Sequence, residues 1–176
     1  WHILLDDVPG IGKTTLAEFY LAWQVGKYPD LPNLIGSHSN SFLMGLYGEM
    51  LQILDVNGEY RWGDVFPGMK VINTSARAMM IDVGHSKMER RRFASLEFNS
   101  LGSGAAGKVR AMNLLYCDDL VASAEIALSA ERLDKLWQQY YTDYRQRKLG
   151  SRCRELHIAT RWIARSEERR VGKECR

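Results

Sequence analysis

The stretch HILLDDVPGIGKTTLAEFYLAW, residues 2–23, decides the fold. HILL at 2–5 is an apolar run suited to a strand, and Pro9, Gly10 and Gly12 punctuate a turn. Leu16, Phe19, Tyr20 and Trp23 then recur at the i, i+3, i+4, i+7 spacing of one helical face. Strand, turn and helix in that order, with Gly12-Lys13-Thr14-Thr15 at the junction, is the context in which a phosphate-binding loop works. The free N–H groups at a helix start point toward an anion, and the helix dipole favours negative charge there. The candidate cradle runs from Pro9 through Gly10, Ile11 and Gly12 to Lys13, Thr14 and Thr15. Lys13 can reach the β- and γ-phosphates of ATP, and the Thr14 hydroxyl can ligate Mg²⁺. One departure is plain: the first glycine of G-x-x-x-x-G-K falls at Asp7.

A second glycine loop competes for the same role. GSGAAGKV at 102–109 satisfies G-x-x-x-x-G-K, and its Gly102, Gly104 and Gly107 also satisfy the dinucleotide fingerprint G-x-G-x-x-G. Either motif has to open a helix directly, yet only KVRAM separates Gly107 from the apolar run NLLYC at 113–117. Val109 also stands where the phosphate loop needs Ser or Thr. The expectation is that Gly102–Lys108 does not hold nucleotide, and that Lys108 and Arg110 are solvated loop charges.

NLLYCDDL at 113–120 supplies the partner motif. Its apolar residues read as a buried strand that ends in Asp118, where a carboxylate can hold Mg²⁺, and Asp119 can orient an attacking water. The more common residue at that second position is Glu, so Asp119 reaches about one methylene less far.

The rest of the chain alternates strands and helices. Further strand candidates are NLIG at 33–36, KVIN at 70–73, FASLEFN at 93–99 and ELHIA at 155–159. Two more helical stripes are Leu43, Leu46, Tyr47, Met50 with Leu54, and Leu133, Leu136, Trp137, Tyr140 with Tyr144. Ser39 or Asn40 can cap the former; Ser129 can cap the latter, and Gly150 can end it. All three stripes are expected to be core. The pattern gives an α/β fold with a mainly parallel sheet and helices on both faces, its ligand beyond the C-terminal strand ends.

Composition limits the alternatives. The last twelve residues, RSEERRVGKECR at 165–176, are two-thirds charged and resemble in-frame read-through of a sequencing adapter, so 165–176 is set aside as a non-native tail. The tail holds five basic and three acidic residues, and without it the formal charge of +3 falls to +1, which is poor support for a nucleic-acid surface. Cys117 and Cys153 are too few for a disulfide framework. Cys153 and His157, four apart, do not make a zinc site. No apolar run approaches the roughly 20 residues that cross a bilayer, so the expectation is a cytosolic protein with no membrane contact.

Together, three motifs resemble those of the large subunit of tailed-bacteriophage terminases, the motors that package viral DNA. VPGIGKTT at 8–15 is similar to the family's deviant Walker A motif, which often lacks the first glycine. GSGAAGKVRAMNLLYCDD at 102–119 is similar to its glycine-rich turn and Walker B strand. ELHIATRW at 155–162 is similar to its coupling motif, with Thr160 and Arg161 sensing the γ-phosphate; YPDLPNLIGSHSNSF at 28–42 resembles its second strand and following helix.

The resemblance covers residues 1–164. It implies a RecA-like, additive-strand P-loop ATPase domain, truncated at both ends, that hydrolyses ATP with Mg²⁺ to translocate double-stranded DNA into a prohead. It further implies a homo-oligomeric ring, portal protein and small terminase subunit as partners, and a place in the host cytoplasm and transiently on the prohead. A C-terminal nuclease domain, also implied, is absent from this chain. Arg77, Arg110 and Arg161 are each candidates for the arginine finger. A RecA-like helicase or other DNA-dependent ATPase shares both nucleotide motifs, and an inactive nucleotide-binding fragment is the non-catalytic alternative.

Overall fold

The structure is a computed structural model that describes residues 2–7, 10–85, 92–103 and 109–160. In chain order the elements are β1 (His2–Asp7), α1 (Lys13–Lys27), β2 (Asn33–Ser37), α2 (Asn40–Ile53), α3 (Trp62–Val65), β3 (Lys70–Ser75) and β4 (Met80–Gly84). There follow β5 (Leu96–Ser100), β6 (Leu114–Asp118), α4 (Ala124–Leu128), α5 (Ala130–Asp143) and β7 (Arg154–Thr160). Among the described residues seven strands form one sheet in the order β1-β7-β6-β2-β5-β4-β3. The five strands from β1 to β5 in that order are parallel, whereas β4 pairs antiparallel with both β5 and β3. The sheet is therefore mixed, more so than the alternation of the sequence suggested.

The two faces of the sheet carry separate cores. On one, α1, α2 and α3 bring Leu21, Val25, Leu43, Leu46, Met50 and Trp62 against Ile35, Ile81, Leu96 and Phe98. On the other, Tyr140 and Tyr144, at the end of α5, lie over Leu34, Leu115 and Cys117. β2 and β6 are buried along their whole length, which is why they read as continuous apolar runs rather than alternating ones. β3, at the sheet edge, is largely exposed and keeps polar Lys70, Asn73 and Thr74 there.

The first helical stripe is misread by the sequence. α1 buries Ala17, Leu21 and Val25, spaced by four, with Glu18, Ala22 and Gly26 beside them, and leaves Leu16 61%, Phe19 42% and Trp23 41% exposed. Small residues let the helix approach closely: a Cβ on Gly26 would meet the Phe66 ring at 2.4 Å. Bulky side chains cannot occupy that narrow gap and turn outward. The second stripe is core throughout, with Ser39 as the cap accepting from Phe42 N–H. In the third, Tyr140 and Tyr144 are buried while Leu133, Leu136 and Trp137 are half-buried. Gly150 does not end that helix, which stops at Asp143; a 3₁₀ turn at Arg145–Arg147 follows, and Gly150 takes a positive φ in the next turn.

Candidate phosphate-binding site

α1 starts at Lys13 with Gly12 as its N-cap and no side chain capping it, so the first helical N–H groups lack the usual side-chain acceptor. Gly10 and Gly12 take φ of +85° and +84°, with open space where a Cβ would stand. Backbone conformation rather than crowding is what calls for glycine at both positions. Asp7, where the standard motif has its first glycine, is the last residue of β1 and pairs with Thr160. The chain is still extended there. Lys13 is buried, Thr14 half-buried, and Ile11 and Thr15 exposed. Pro9 lies outside the described residues.

Asp118 ends β6 and is fully buried. Burial is the main reason its carboxyl is pushed up from 3.8 to about 6; the Asp119 charge adds to this, and the Tyr116 and Thr14 hydroxyls and the Lys13 ammonium pull it back. Those neighbours place the start of α1 against the end of β6. Tyr116 donates its hydroxyl proton to Asp118 Oδ2, while the buried Oδ1 has no hydrogen-bond partner. A buried carboxylate oxygen without a donor is costly, and a hard cation that takes oxygen ligands would relieve it. Among the described residues no three metal-ligating side chains gather. Mg²⁺ suits such a place, because it commonly takes one or two carboxylates and completes its shell with water and phosphate oxygens.

Asp119 adopts a φ of +40°. Its N–H donates to the Ile158 carbonyl at 3.0 Å, and its Oδ1 accepts from the Thr160 N–H at 3.0 Å. His38, just past β2, lies with Nδ1 2.5 Å from the Asp119 carbonyl. A carbonyl only accepts, so that nitrogen carries the proton. The last turns of β2, β6 and β7 thus converge on one residue. Arg161, next in the coupling motif, lies outside the described residues.

Several expected residues stand elsewhere. Arg77 is exposed on the β3–β4 turn, and Arg110 is half-buried with its guanidinium 5.9 Å from the Phe93 ring centre. Gly102 and Ser103 form a turn, residues 109–113 contain no helix, and 104–108, with Lys108, lie outside the described residues. Cys117 and Cys153 are buried and reduced. His157 faces Glu155 at 3.4 Å rather than acting with Cys153. Glu155 is itself buried; burial alone would raise its pKa, but His157, Lys148 and Tyr140 outweigh that and hold the carboxyl far below its usual range. The tail 165–176 is outside the described residues.

With this arrangement in view, comparison with known proteins finds likeness among solved structures. The fold resembles that of a phage packaging ATPase domain. A single-site mutant of the large terminase ATPase domain from Thermus phage P74-26 matches with a TM-score of 0.54 and 14% identity, over 90% of this chain and 58% of that one. The N-terminal domain of the DNA packaging ATPase from bacteriophage phi29 gives 0.49 and 12%, over 90% of this chain and 72% of that one. No family model and no curated protein matches the sequence. The present chain spans little more than half the length of the first of these domains.

Two residues of the site escaped the sequence reading. Glu18 lies one turn beyond Thr14 on α1 and is 3% exposed. Burial, then its hydrogen bond with Glu49 and that residue's charge, then the Asp118 charge, push its carboxyl up to about 9. It is neutral at pH 7 and keeps a second negative charge away from Asp118. Tyr116 shares a strand face with Asp118. Both had a legible signal: i+4 from Thr14 on a helix and i−2 from Asp118 on a strand each mean a common face.

Proposed function

We propose that this chain is the ATPase domain of a viral DNA-packaging motor of the large-terminase type, a RecA-like P-loop NTPase with an additive strand. The observation that carries the reading is the meeting of Lys13 and Thr14, at the start of α1, with Asp118 and Asp119, at the end of β6. The strand order supports it, because β7 lies between β1 and β6 as an additive strand would.

In this reading the Gly10–Thr15 backbone and Lys13 bind the ATP phosphates, with Pro9 shaping the turn. Thr14 and Asp118 are the residues that would hold Mg²⁺, which neutralises phosphate charge when bound. Tyr116 fixes Asp118 Oδ2 and leaves Oδ1 for that role. Asp119 orients the attacking water, and its bond to the Thr160 N–H passes the state of the site to β7 and Arg161. Coupled to translocation of double-stranded DNA, the domain works in a homo-oligomeric ring with portal protein and small terminase subunit. That places it in the host cytoplasm and transiently on the prohead, with nuclease chemistry in another domain.

Titration of the purified chain with a fluorescent ATP analogue and Mg²⁺ tests the loop. Binding should appear and fall at least tenfold in Lys13→Ala, while Asp119→Asn binds normally but turns over more slowly wherever wild type hydrolyses. Asparagine tolerates the positive φ at 119, so that variant keeps its backbone. Binding that is absent, or unchanged by Lys13→Ala, would remove the assignment.

A further inference from the structure

Ser37 closes β2 and stands beside Asp118 in the parallel β2–β6 register. Neighbouring strands lie about 4.8 Å apart, and residues in register point to the same face of the sheet. Alternation along each strand fixes which face that is. Ile35 and Tyr116, two residues back on β2 and β6, belong to the core beneath α1 and α2, so Ser37 and Asp118 face those helices as well. Gly36, between Ile35 and Ser37, points the other way, since a Cβ there would meet the Tyr144 ring.

Ser37 is fully buried, and its Oγ has no hydrogen-bond partner. Asp118 Oδ1 is in the same condition, because the Tyr116 proton goes to Oδ2. Six buried side-chain polar atoms lack a partner among the described residues, and two of them are thus cross-strand neighbours at the proposed cation site. A hydroxyl serving only the fold would donate to the adjacent carboxylate, yet the two oxygens do not bond each other. Both can accept. A water on a hard cation turns its lone pair to the ion and keeps two protons to give, one for each oxygen, and Mg²⁺ keeps several such waters. The Ser37 backbone is held in place: its carbonyl accepts from the Leu101 N–H at 3.0 Å and from the Tyr144 hydroxyl at 3.3 Å. His38, the next residue, meets the Asp119 carbonyl, so the end of β2 attends both aspartates.

We propose that Ser37 is a positioning residue of the cation site, accepting a hydrogen bond from a water on the Mg²⁺ that Asp118 would hold. The inference rests on the ATPase reading and extends the ion's surroundings to β2, a strand outside both nucleotide motifs. Titration of the full chain with Mn²⁺ alone, followed by the electron paramagnetic resonance of the free ion, tests it. Asp118→Asn sets the level of binding by other carboxylates. Ser37→Ala should weaken the Asp118-dependent binding about tenfold, as loss of an outer-shell partner does. In chelator the same variant should melt no lower than wild type, since it removes a buried hydroxyl that has no partner. Ser37→Cys, close to serine in shape and a weak acceptor, should lose the ion in the same way, and it decides the matter if Ser37→Ala does not fold. Wild-type binding no greater than that of Asp118→Asn would overturn this proposal together with the cation site of the ATPase reading. Undiminished binding in Ser37→Ala beside a loss in Asp118→Asn, or a lower Tm for Ser37→Ala in chelator, would overturn this proposal alone.

Discussion

Replacing Glu18 with glutamine should make the protein more stable at neutral pH, and by an amount that grows with pH. In the folded chain the carboxyl titrates near 9, against an ordinary value of 4.5. Because the folded value is the higher one, its contribution is whole below about pH 4.5 and is lost as pH rises through about 9. Each pH unit in that window costs about 1.4 kcal/mol. At pH 7, two and a half units into that window, the loss is about 3.5 kcal/mol, and solvent around exposed Glu49 trims it to about 2–3 kcal/mol. Glutamine keeps the shape and the hydrogen-bonding capacity without titrating. Urea melts of both proteins in Mg²⁺-free buffer from pH 4.5 to 8 should coincide at the acid end and diverge by that amount at pH 7. The corresponding Tm gap is about 5–10 °C. Asp118 shifts in the same direction, but it is present in both proteins and largely cancels from the difference. Parallel stability curves across the range would refute the placement of a neutral Glu18 beneath the loop.

Glu155→Gln should behave oppositely. Its depressed pKa gives stability that is present above about pH 4.5 and lost as pH falls, so the variant should be weaker by about 3 kcal/mol at pH 7 and show a flatter acid limb in thermal melts. Gly36→Ala should cost about 1–3 kcal/mol, because the new Cβ would stand 2.5 Å from the Tyr144 ring, whose hydroxyl is tied to the Asn99 and Ser37 carbonyls. Gly45→Ala, at an exposed site on α2 with nothing near its Cβ, should instead raise stability by up to about 1 kcal/mol in the same urea melts.

The strand–turn–helix corner and β6 were legible because backbone chemistry wrote them: two glycines at positive φ, a run without polar interruption, a carboxylate at its end. β4 was not, since MIDVG carries Asp82 in its middle. That aspartate is buried because its Oδ1 accepts from the Ser95 N–H, a partner 13 residues away that no local pattern reveals. Ser95 itself explains why β5 starts at Leu96 rather than Phe93: its N–H goes to the Asp82 side chain instead of to a neighbouring strand's carbonyl. The buried face of α1 was hidden for a different reason. Periodicity weights large side chains, while close approach to neighbouring elements selects small ones, and Ala17, Ala22 and Gly26 carry little hydropathic signal. Lys13 at the start of α1 and Asp118 at the end of β6 were legible as positions; the protonation of Glu18 beside them was not, because it depends on desolvation by the assembled fold.

The intervening position of β7 sets a gauge. With one strand between β1 and β6, the jaws of the cleft stand two strand widths apart, about 10 Å, and that gap is fixed by main-chain hydrogen bonding. Side chains along β7 can therefore change without altering the opening, much as the finish of a spacer block can change without altering its thickness. What the cleft admits is in this sense a property of strand count, and what it does there is left to the few residues at the rim.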